Sequence, residues 1–222
     1  MGGIAGLRSG VLLRSDNLQG LTPTDVVRLT RELGVSVVVD LRTAEEVRLE
    51  GPGPLVGRVP ISHRDLYPEA GVHTDVVINT RNGDDPVVGY YMAYLEHRPD
   101  SIVGALNDVA CAPGAAIVHC AAGKDRTGVV VAMALSAAGV ERSAILDDYL
   151  ATAERITGIM RRLRGSETYR AELEPYTDES RKPRRETMER VLERLDEEHG
   201  GPVEWLRAHG FDPEPLRLRL TH

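Results

Sequence analysis

Residues 115–128 read AAIVHCAAGKDRTG and contain one of the two cysteines and one of the two lysines in a chain of 222 residues. The apolar run at 115–118 predicts a strand, and the nearly all-apolar residues 127–138 predict a buried helix. A short polar loop joins the two. Because a loop that opens at a helix N-terminus points successive backbone N–H groups into one concavity, this stretch predicts an anion site built largely from main chain.

The side chains of this loop suit phosphate chemistry. Arg126 follows Cys120 by six residues, and its planar guanidinium matches two phosphate oxygens. The loop N–H groups and the helix dipole favour the thiolate of Cys120, which is then placed for in-line attack on phosphorus. The implied reaction is hydrolysis of a phosphate monoester through a phosphocysteine intermediate. The predicted phosphate-binding residues are Ala121, Ala122, Gly123, Lys124, Asp125 and Arg126.

Supporting roles are predicted for four residues of the loop. His119 orders the loop from behind, and Thr127 hydrogen-bonds the sulfur when the sulfur becomes the leaving group. Asp125 orders the loop by accepting hydrogen bonds from backbone N–H groups or from Arg126. Lys124 either adds positive charge for a second phosphate or forms an ion pair with a nearby carboxylate such as Asp125. The sequence leaves both interpretations of Lys124 open.

Two other interpretations of the loop are weaker. A nucleotide-binding loop of the form G-x-x-x-x-G-K-[ST] requires glycine where this chain has Val118, and Ser or Thr where it has Asp125. A cysteine that is merely buried is common, but a strand, a helix and Arg126 at this spacing from Cys120 make that interpretation a minor one. The pattern therefore favours a nucleophilic cysteine.

The segment HCAAGKDRTG, residues 119–128, resembles the signature loop of cysteine-dependent phosphatases, and its GKDRTG form is similar to bacterial tyrosine/serine protein phosphatases. The resemblance extends to residues 12–47, which share an Arg-Ser pair, a helix and a strand ending in Asp-Leu-Arg, and to GGPVEWLRAHG at 200–210. It implies a cysteine-phosphatase fold and activity on phosphotyrosine, and for some members on phosphoserine/threonine and phosphoinositides. Residues 62–112 match least.

Expulsion of an alkoxide or phenolate requires a proton donor on a loop beside the site. Asp65, just past a predicted strand at 56–61, matches the position of that acid in the family. In eukaryotic tyrosine phosphatases, a separate glutamine loop positions the water of the second step. The only glutamine of this chain, Gln19, lies in an early turn, so that loop is not expected here. Asp65 is therefore expected to act first as acid and then as base. The rival carboxylates in the same region are Asp75, Asp84 and Asp85.

The rest of the chain alternates strands with helices and then becomes helical. Strands are predicted at 35–41, 56–61 and 115–118, and a loop at 62–86. Helices are predicted at 22–33, 43–50, 86–98, 100–112, 127–138, 142–156, 159–173, 182–199 and 202–209. The fold class is therefore α/β. With the resemblance, it becomes a central, mostly parallel sheet flanked by helices, in one domain over 1–222, with an all-helical portion at about 140–222 as a candidate lid.

Composition excludes several function classes. A net charge of −7 offers no basic surface for nucleic acid, and no apolar run reaches the ~18 residues that span a bilayer. The seven histidines lack metal-ligand spacing, and the mechanism needs no metal or cofactor. Two cysteines form no disulfide framework, and the first residues lack a signal peptide, so the predicted location is the cytoplasm, with export without a signal peptide as the alternative.

The predicted partner is a phosphorylated protein, with phosphotyrosine as the leading substrate, or a small phosphorylated molecule. Alternatives are a small-molecule or phosphoinositide phosphatase and an inactive phospho-binding module; a rhodanese-like sulfur-transfer domain fits the Thr127-Gly128 pair less well. Three other groups have an ordinary interpretation beside a functional one. Cys111 either forms a disulfide with Cys120 after oxidation or is an ordinary helix cysteine. The tyrosine set (Tyr90, Tyr91, Tyr94) either lines a wall for a phenyl ring or packs helices, and the arginine set (Arg161, Arg162, Arg164) either attracts an anionic substrate or membrane or is simply solvated.

Overall fold

The computed structural model describes residues 4, 6–51, 53–67 and 83–221. The strands in this part of the chain are β1 (Leu12–Ser15), β2 (Val35–Asp40), β3 (Ile61–His63) and β4 (Ala115–His119). The α-helices are α1 (Pro23–Val27), α2 (Ala44–Glu50), α3 (Pro86–His97), α4 (Pro99–Cys111), α5 (Asp125–Ala137), α6 (Arg142–Leu150), α7 (Ile156–Gly165), α8 (Glu167–Leu173), α9 (Arg185–His199), α10 (Pro202–Ala208) and α11 (Pro213–Thr221). Shorter helical turns cover Arg28–Glu32 (π), Ala151–Arg155 and Glu179–Arg181 (both 3-10).

The four strands form one parallel sheet in the order β1-β4-β2-β3, which confirms the predicted α/β class. β4 lies between β1 and β2, so the loop that follows β4 emerges from the interior of the sheet rather than from its edge. In open parallel sheets, ligands bind outside the carboxyl ends of the strands. The topology therefore puts the loop after β4 where a site is expected.

Both faces of the sheet are buried, as a parallel sheet requires. Alternate residues of β4 point to opposite sides: Ala116 and Val118 join a large apolar cluster with α3–α6 and α9–α11, while Ala115 and Ile117 join a smaller one with α1. Helix α5 is buried along nearly its whole length, as its apolar sequence predicts. A helix of this kind holds the loop before it in a fixed position.

Local sequence signals set several helix boundaries. Thr22 and Thr43 begin α1 and α2 through reciprocal capping boxes, in which the N3 carboxylates of Asp25 and Glu46 accept from the cap N–H groups. Pro99 starts α4 one residue after the α3 cap, which confirms the predicted break. None of the helices in the described residues combines the length and apolarity needed to cross a bilayer.

One strand prediction was wrong and one strand was missed. Residues 54–59 form turns rather than a strand, because Gly57 adopts φ +73° and Val56 is exposed, and β3 occupies 61–63 instead. β1 was not predicted, since four residues between turns carry no periodicity and gain their hydrogen-bond partners only from β4. Of the predicted loop at 62–86, residues 68–82 lie outside the described residues.

The C-terminal helices are more numerous and shorter than predicted. The helix predicted at 159–173 ends at Gly165, because Ser166 caps a new helix through the N–H of Thr168. The one predicted at 142–156 tightens into a 3-10 turn after Leu150, and α11 was not predicted. The helix predicted from 182 starts at Arg185, after Pro183.

Candidate active site

The four strands end in one row. His119 pairs with Ser15 of β1 on one side and with Asp40 of β2 on the other, and Asp40 pairs with His63 of β3. The residues that follow these strand ends therefore lie together at the carboxyl end of the sheet. The sequence-predicted nucleophile follows His119 directly.

A pocket of about 790 Å³ opens at the carboxyl end of the sheet, and all three predicted catalytic residues line it. Cys120 comes from the β4 loop, Arg126 from the first turn of α5, and Asp65 from the chain two residues past β3. Cys120 and Arg126 are almost fully buried. Four of the other predicted phosphate-binding residues line the same pocket: Ala121, Ala122, Lys124 and Asp125.

The loop backbone leaves its N–H groups available. No described residue accepts a hydrogen bond from the backbone N–H groups of residues 121–124, while the first helical bond of α5 runs from Gly128 N to Lys124 O. Unsatisfied N–H groups ahead of a helix attract anions, and the dipole of a 13-residue helix adds to that attraction. The loop can therefore bind a phosphate through main chain.

Gly123 does not line this pocket but turns the loop behind it. Its φ of +65° is left-handed, and a Cβ at this position would lie 2.4 Å from the carbonyl oxygen of Ser15. Any side chain there meets backbone that cannot move away. Gly128 is also constrained, since a Cβ would lie 2.9 Å from the ring of Tyr149.

Arg126 is held by Glu46, the carboxylate that also takes part in the cap of α2. Glu46 accepts from Arg126 Nη1 at 2.6 Å and from Nη2 at 2.9 Å, and its Oε2 also accepts from the N–H of Thr43. Burial alone would raise the pKa of Glu46, but the charge and hydrogen bonds of Arg126 outweigh burial and lower it to about 2. Glu46 thus fixes the guanidinium across the pocket as a charged pair.

An aromatic ring also contacts this arginine. The guanidinium carbon of Arg126 lies 5.0 Å from the ring centroid of Tyr67, within the range of a cation–π interaction. Tyr67 Oη in turn accepts from Tyr94 Oη at 3.2 Å, and the two rings pack edge to face. The arginine is therefore confined by a carboxylate on one side and a tyrosine on another.

Asp65 is the carboxylate of its region best suited to carry a proton. Its Oδ1 accepts from the N–H of Tyr67 at 2.8 Å, and burial raises the pKa of Asp65 above its ordinary value. Of the rivals, Asp84 pairs with Arg190 at 2.9 Å and does not line the pocket. Asp85 also lines the pocket, but it caps α3 and pairs with Arg184 at 3.3 Å. The third rival, Asp75, lies outside the described residues.

Lys124 and Asp125 contact each other. The ammonium of Lys124 lies 3.4 Å from Asp125 Oδ1 and donates to the carbonyl of Arg181 at 3.0 Å. Asp125 Oδ1 also accepts from Tyr91 Oη at 2.7 Å, so its partners differ from the expected backbone N–H groups or Arg126. Burial alone would raise the pKa of Asp125, but Lys124 and the hydrogen bond from Tyr91 outweigh it and lower the pKa. Lys124 pairs with Asp125 and also lines the pocket, so the ion-pair interpretation and the second-phosphate interpretation both stay open.

Behind the loop, His119 is buried and held by a hydrogen bond. Burial lowers the pKa of His119, and its Nδ1 lies 3.1 Å from the carbonyl oxygen of Cys120, to which it donates. Its Nε2 lies 3.6 Å from Asp40, which is paired with the fully buried Arg42. Thr127 Oγ1 is buried without a hydrogen-bond partner among the described residues, so the expected contact with the sulfur is not made in this state.

The weaker candidates separate clearly. All three tyrosines of the predicted set line the pocket, and Tyr91 and Tyr94 are also packed in the core. Within the arginine set, Arg162 pairs with Asp16 and Arg164 with Asp178, both at 2.6 Å. Cys111 is a free thiol, exposed at the end of α4. Only the tyrosines therefore belong to the site.

Comparisons with known proteins agree with this geometry. Residues 2–221 match a family model described as "Tyrosine phosphatase family". A relative from Mycobacterium tuberculosis, "Triple specificity protein phosphatase PtpB", is 29% identical over 71% of this chain and 66% of its own length. A "Tyrosine-protein phosphatase" from Nostoc commune is 29% identical over 66% of this chain and 49% of its own length. The chain thus spans less than two thirds of the length of either relative.

Proposed function

Because the chain belongs to the tyrosine phosphatase family, we propose that it hydrolyses phosphate monoesters through a phosphocysteine intermediate, with protein phosphotyrosine as the leading substrate. The observation that carries the proposal is the single pocket lined by Cys120, Arg126 and Asp65. A thiol, a guanidinium and a carboxylate with a raised pKa line it together, which supports the proposed roles of nucleophile, phosphate-binding cation and acid.

In the first step, the Cys120 thiolate attacks phosphorus and a P–S bond forms as the bond to the ester oxygen breaks. Asp65 donates its proton to that departing oxygen, so the alcohol or phenol leaves neutral. Arg126 and the loop N–H groups bind the three equatorial oxygens, where charge is spread in the transition state. The pair with Glu46 keeps the guanidinium in place without reorganisation.

In the second step, water attacks the phosphocysteine, the P–S bond breaks and Asp65 accepts the proton of the water. Inorganic phosphate leaves and the thiolate is restored. The carboxylate therefore returns to its protonated form for the next turnover, and one residue serves both steps. Gln19 plays no part, since its side chain donates to the carbonyl of Gly51.

The substrate class rests on the walls of the pocket. Tyr67, Tyr90 and Tyr94 give it an aromatic side, and its volume exceeds what a phosphate alone needs. An aromatic ring bearing the phosphate would gain edge or stacking contacts on that side. We propose phosphoserine and phosphothreonine proteins as further substrates. A phosphoinositide or another small phosphorylated molecule is the second candidate, because Lys124 lines the pocket as well.

The C-terminal helices are proposed to belong to the same domain. Val191 and Leu195 of α9 and Trp205 of α10 share one apolar cluster with α5. Helices α7 and α8 form a separate cluster that includes Ala121 of the phosphate loop. Within the portion at about 140–222 predicted as a candidate lid, we propose that α7 and α8 are the part that forms it. We keep the cytoplasm as the location predicted from sequence, and no nucleic acid, metal or cofactor among the partners.

The test is a panel of initial rates with the purified protein. The substrates are a phosphotyrosine peptide, a phosphoserine peptide, a phosphoinositide and several phosphorylated metabolites. Cys120→Ser is expected to abolish turnover of all of them, and Cys111→Ser to leave it unchanged, because the latter thiol is exposed outside the pocket.

The proposal expects the phosphotyrosine peptide to be turned over fastest. Dominance of the phosphoinositide or of one metabolite would replace the protein substrate with that second candidate. Phosphate binding without any turnover that depends on Cys120 would instead identify an inactive phospho-binding module and overturn the proposed activity.

A further inference from the structure

Two carbonyl oxygens of the loop after β4 have hydrogen-bond donors outside the loop. When the N–H groups of a loop face an anion, its carbonyl oxygens face the other way and need donors of their own. The structure supplies them for Ala121, whose oxygen accepts from the backbone N–H of Asn17 at 2.9 Å, and for Gly123, whose oxygen accepts from Arg14 Nη2 at 2.7 Å. The two donors come from the chain around the end of β1: Arg14 lies in the strand and Asn17 two residues past it.

The loop is pressed onto that strand end. Gly123 approaches the carbonyl oxygen of Ser15 so closely that no Cβ fits between them. At this close approach the Arg14 guanidinium gives the Gly123 carbonyl oxygen a charged donor.

Arg14 is itself fixed from the other side. Its Nη1 donates to Asp148 Oδ2 at 2.6 Å and to the carbonyl oxygen of Asp148 at 3.1 Å, and its Nη2 reaches Thr152 Oγ1 at 3.2 Å. The side chain is 17% exposed. One guanidinium thus ties the phosphate loop to the end of α6 and to the turn after it. A lysine has a single nitrogen and cannot span these partners in the same way.

We propose that Arg14 is a positioning residue for phosphate binding: it holds the carbonyl of Gly123 outward and thereby keeps the loop N–H groups aimed at the phosphate. The residue touches no substrate, and it lines a second, smaller cavity behind the loop rather than the pocket of Cys120. This inference rests on the proposed function, since it presumes that the loop binds phosphate.

The test measures phosphate binding without turnover. Inorganic phosphate is titrated calorimetrically into the full chain carrying Cys120→Ser, alone and combined with Arg14→Met, Arg14→Lys or Asp148→Asn. We expect Arg14→Met to raise the Kd roughly tenfold, the size of one lost hydrogen bond to a charged group. Arg14→Lys is expected to raise it nearly as much, and Asp148→Asn less.

Arg58→Met is the matched control, because Arg58 is exposed in the turn before β3. An unchanged Kd in folded Arg14→Met would overturn the positioning role, and so would full rescue by lysine, since charge alone would then suffice. If Arg14→Met does not fold, an unchanged Kd in folded Arg14→Lys or in folded Asp148→Asn would overturn the positioning role. Failure of Cys120→Ser itself to bind phosphate would count against the proposed function, a separate result.

Discussion

Replacement of Glu46 by glutamine removes one charge from the buried pair with Arg126 and leaves an amide of the same shape. Glutamine still offers an oxygen to the N–H of Thr43, so the helix cap survives. What is lost is the carboxylate that makes two charge-assisted hydrogen bonds to the guanidinium. Arg126 then remains buried without its counter-charge, which is costly.

The size of the loss follows from proton linkage. The pKa of Glu46 is lowered from 4.5 to about 2 in the folded chain, and such a shift corresponds to about 3 kcal/mol. Because the folded pKa is the lower one, this stability is fully present above pH 4.5 and is lost as the pH falls toward 2. By pH 3 about half of it is gone.

Urea unfolding of the parent and of Glu46→Gln between pH 7 and pH 3 measures this difference. We expect a gap of about 3 kcal/mol at pH 7 that shrinks to roughly half at pH 3. Glu45→Gln is the matched control, one residue away, since Glu45 pairs with Arg48 in solvent. The control curve should follow the parent. A gap that does not change with pH would refute the assignment of the loss to the charge of Glu46.

Three further outcomes are expected. Asp65→Asn should slow esters with poor leaving groups far more than p-nitrophenyl phosphate and should flatten the alkaline fall of kcat/KM, because burial keeps Asp65 protonated to higher pH than an ordinary aspartate; equal slowing of both esters would move the acid elsewhere. Gly123→Ala should raise the Kd of inorganic phosphate at least tenfold in calorimetry, since its Cβ meets the Ser15 carbonyl, and an unchanged Kd would contradict that clash. Lys124→Met should lower the free energy of unfolding by roughly 1 kcal/mol, because Asp125 loses its cation at a partly buried site; a urea midpoint equal to the parent's would count against the ion pair.

Local signals predicted the elements around the site. The strand, loop and helix at 115–138 are confirmed because the apolar pattern, the glycines and the buried character of α5 agree with one another. The predicted helix starts at 22 and 43 agree with the caps of α1 and α2, because each capping box lies within four residues of chain. The apolar period runs on both sides of Gly165 and Ser166, so one helix was predicted at 159–173 where the structure has α7 and α8.

Long-range contacts account for what sequence reasoning missed. Glu46 lies 80 residues from Arg126, and its local pattern reports only a helix cap. Arg14 lies 109 residues from Gly123, on a strand that exists because β4 pairs with it. Neither contact leaves a signal in neighbouring residues. A buried glutamate in the first turn of a helix is the feature that indicates a second role, but burial is known only from the fold.

The central claim is that phosphate passes through Cys120. Rapid acid quench of the enzyme with a phosphotyrosine peptide, followed by mass spectrometry of the digested protein, measures this directly. The account predicts a phosphate on Cys120 within the first turnover, absent in Cys120→Ser and retained in Cys111→Ser. Turnover with no phosphorylated cysteine at any quench time, or with phosphate on another residue, would contradict it.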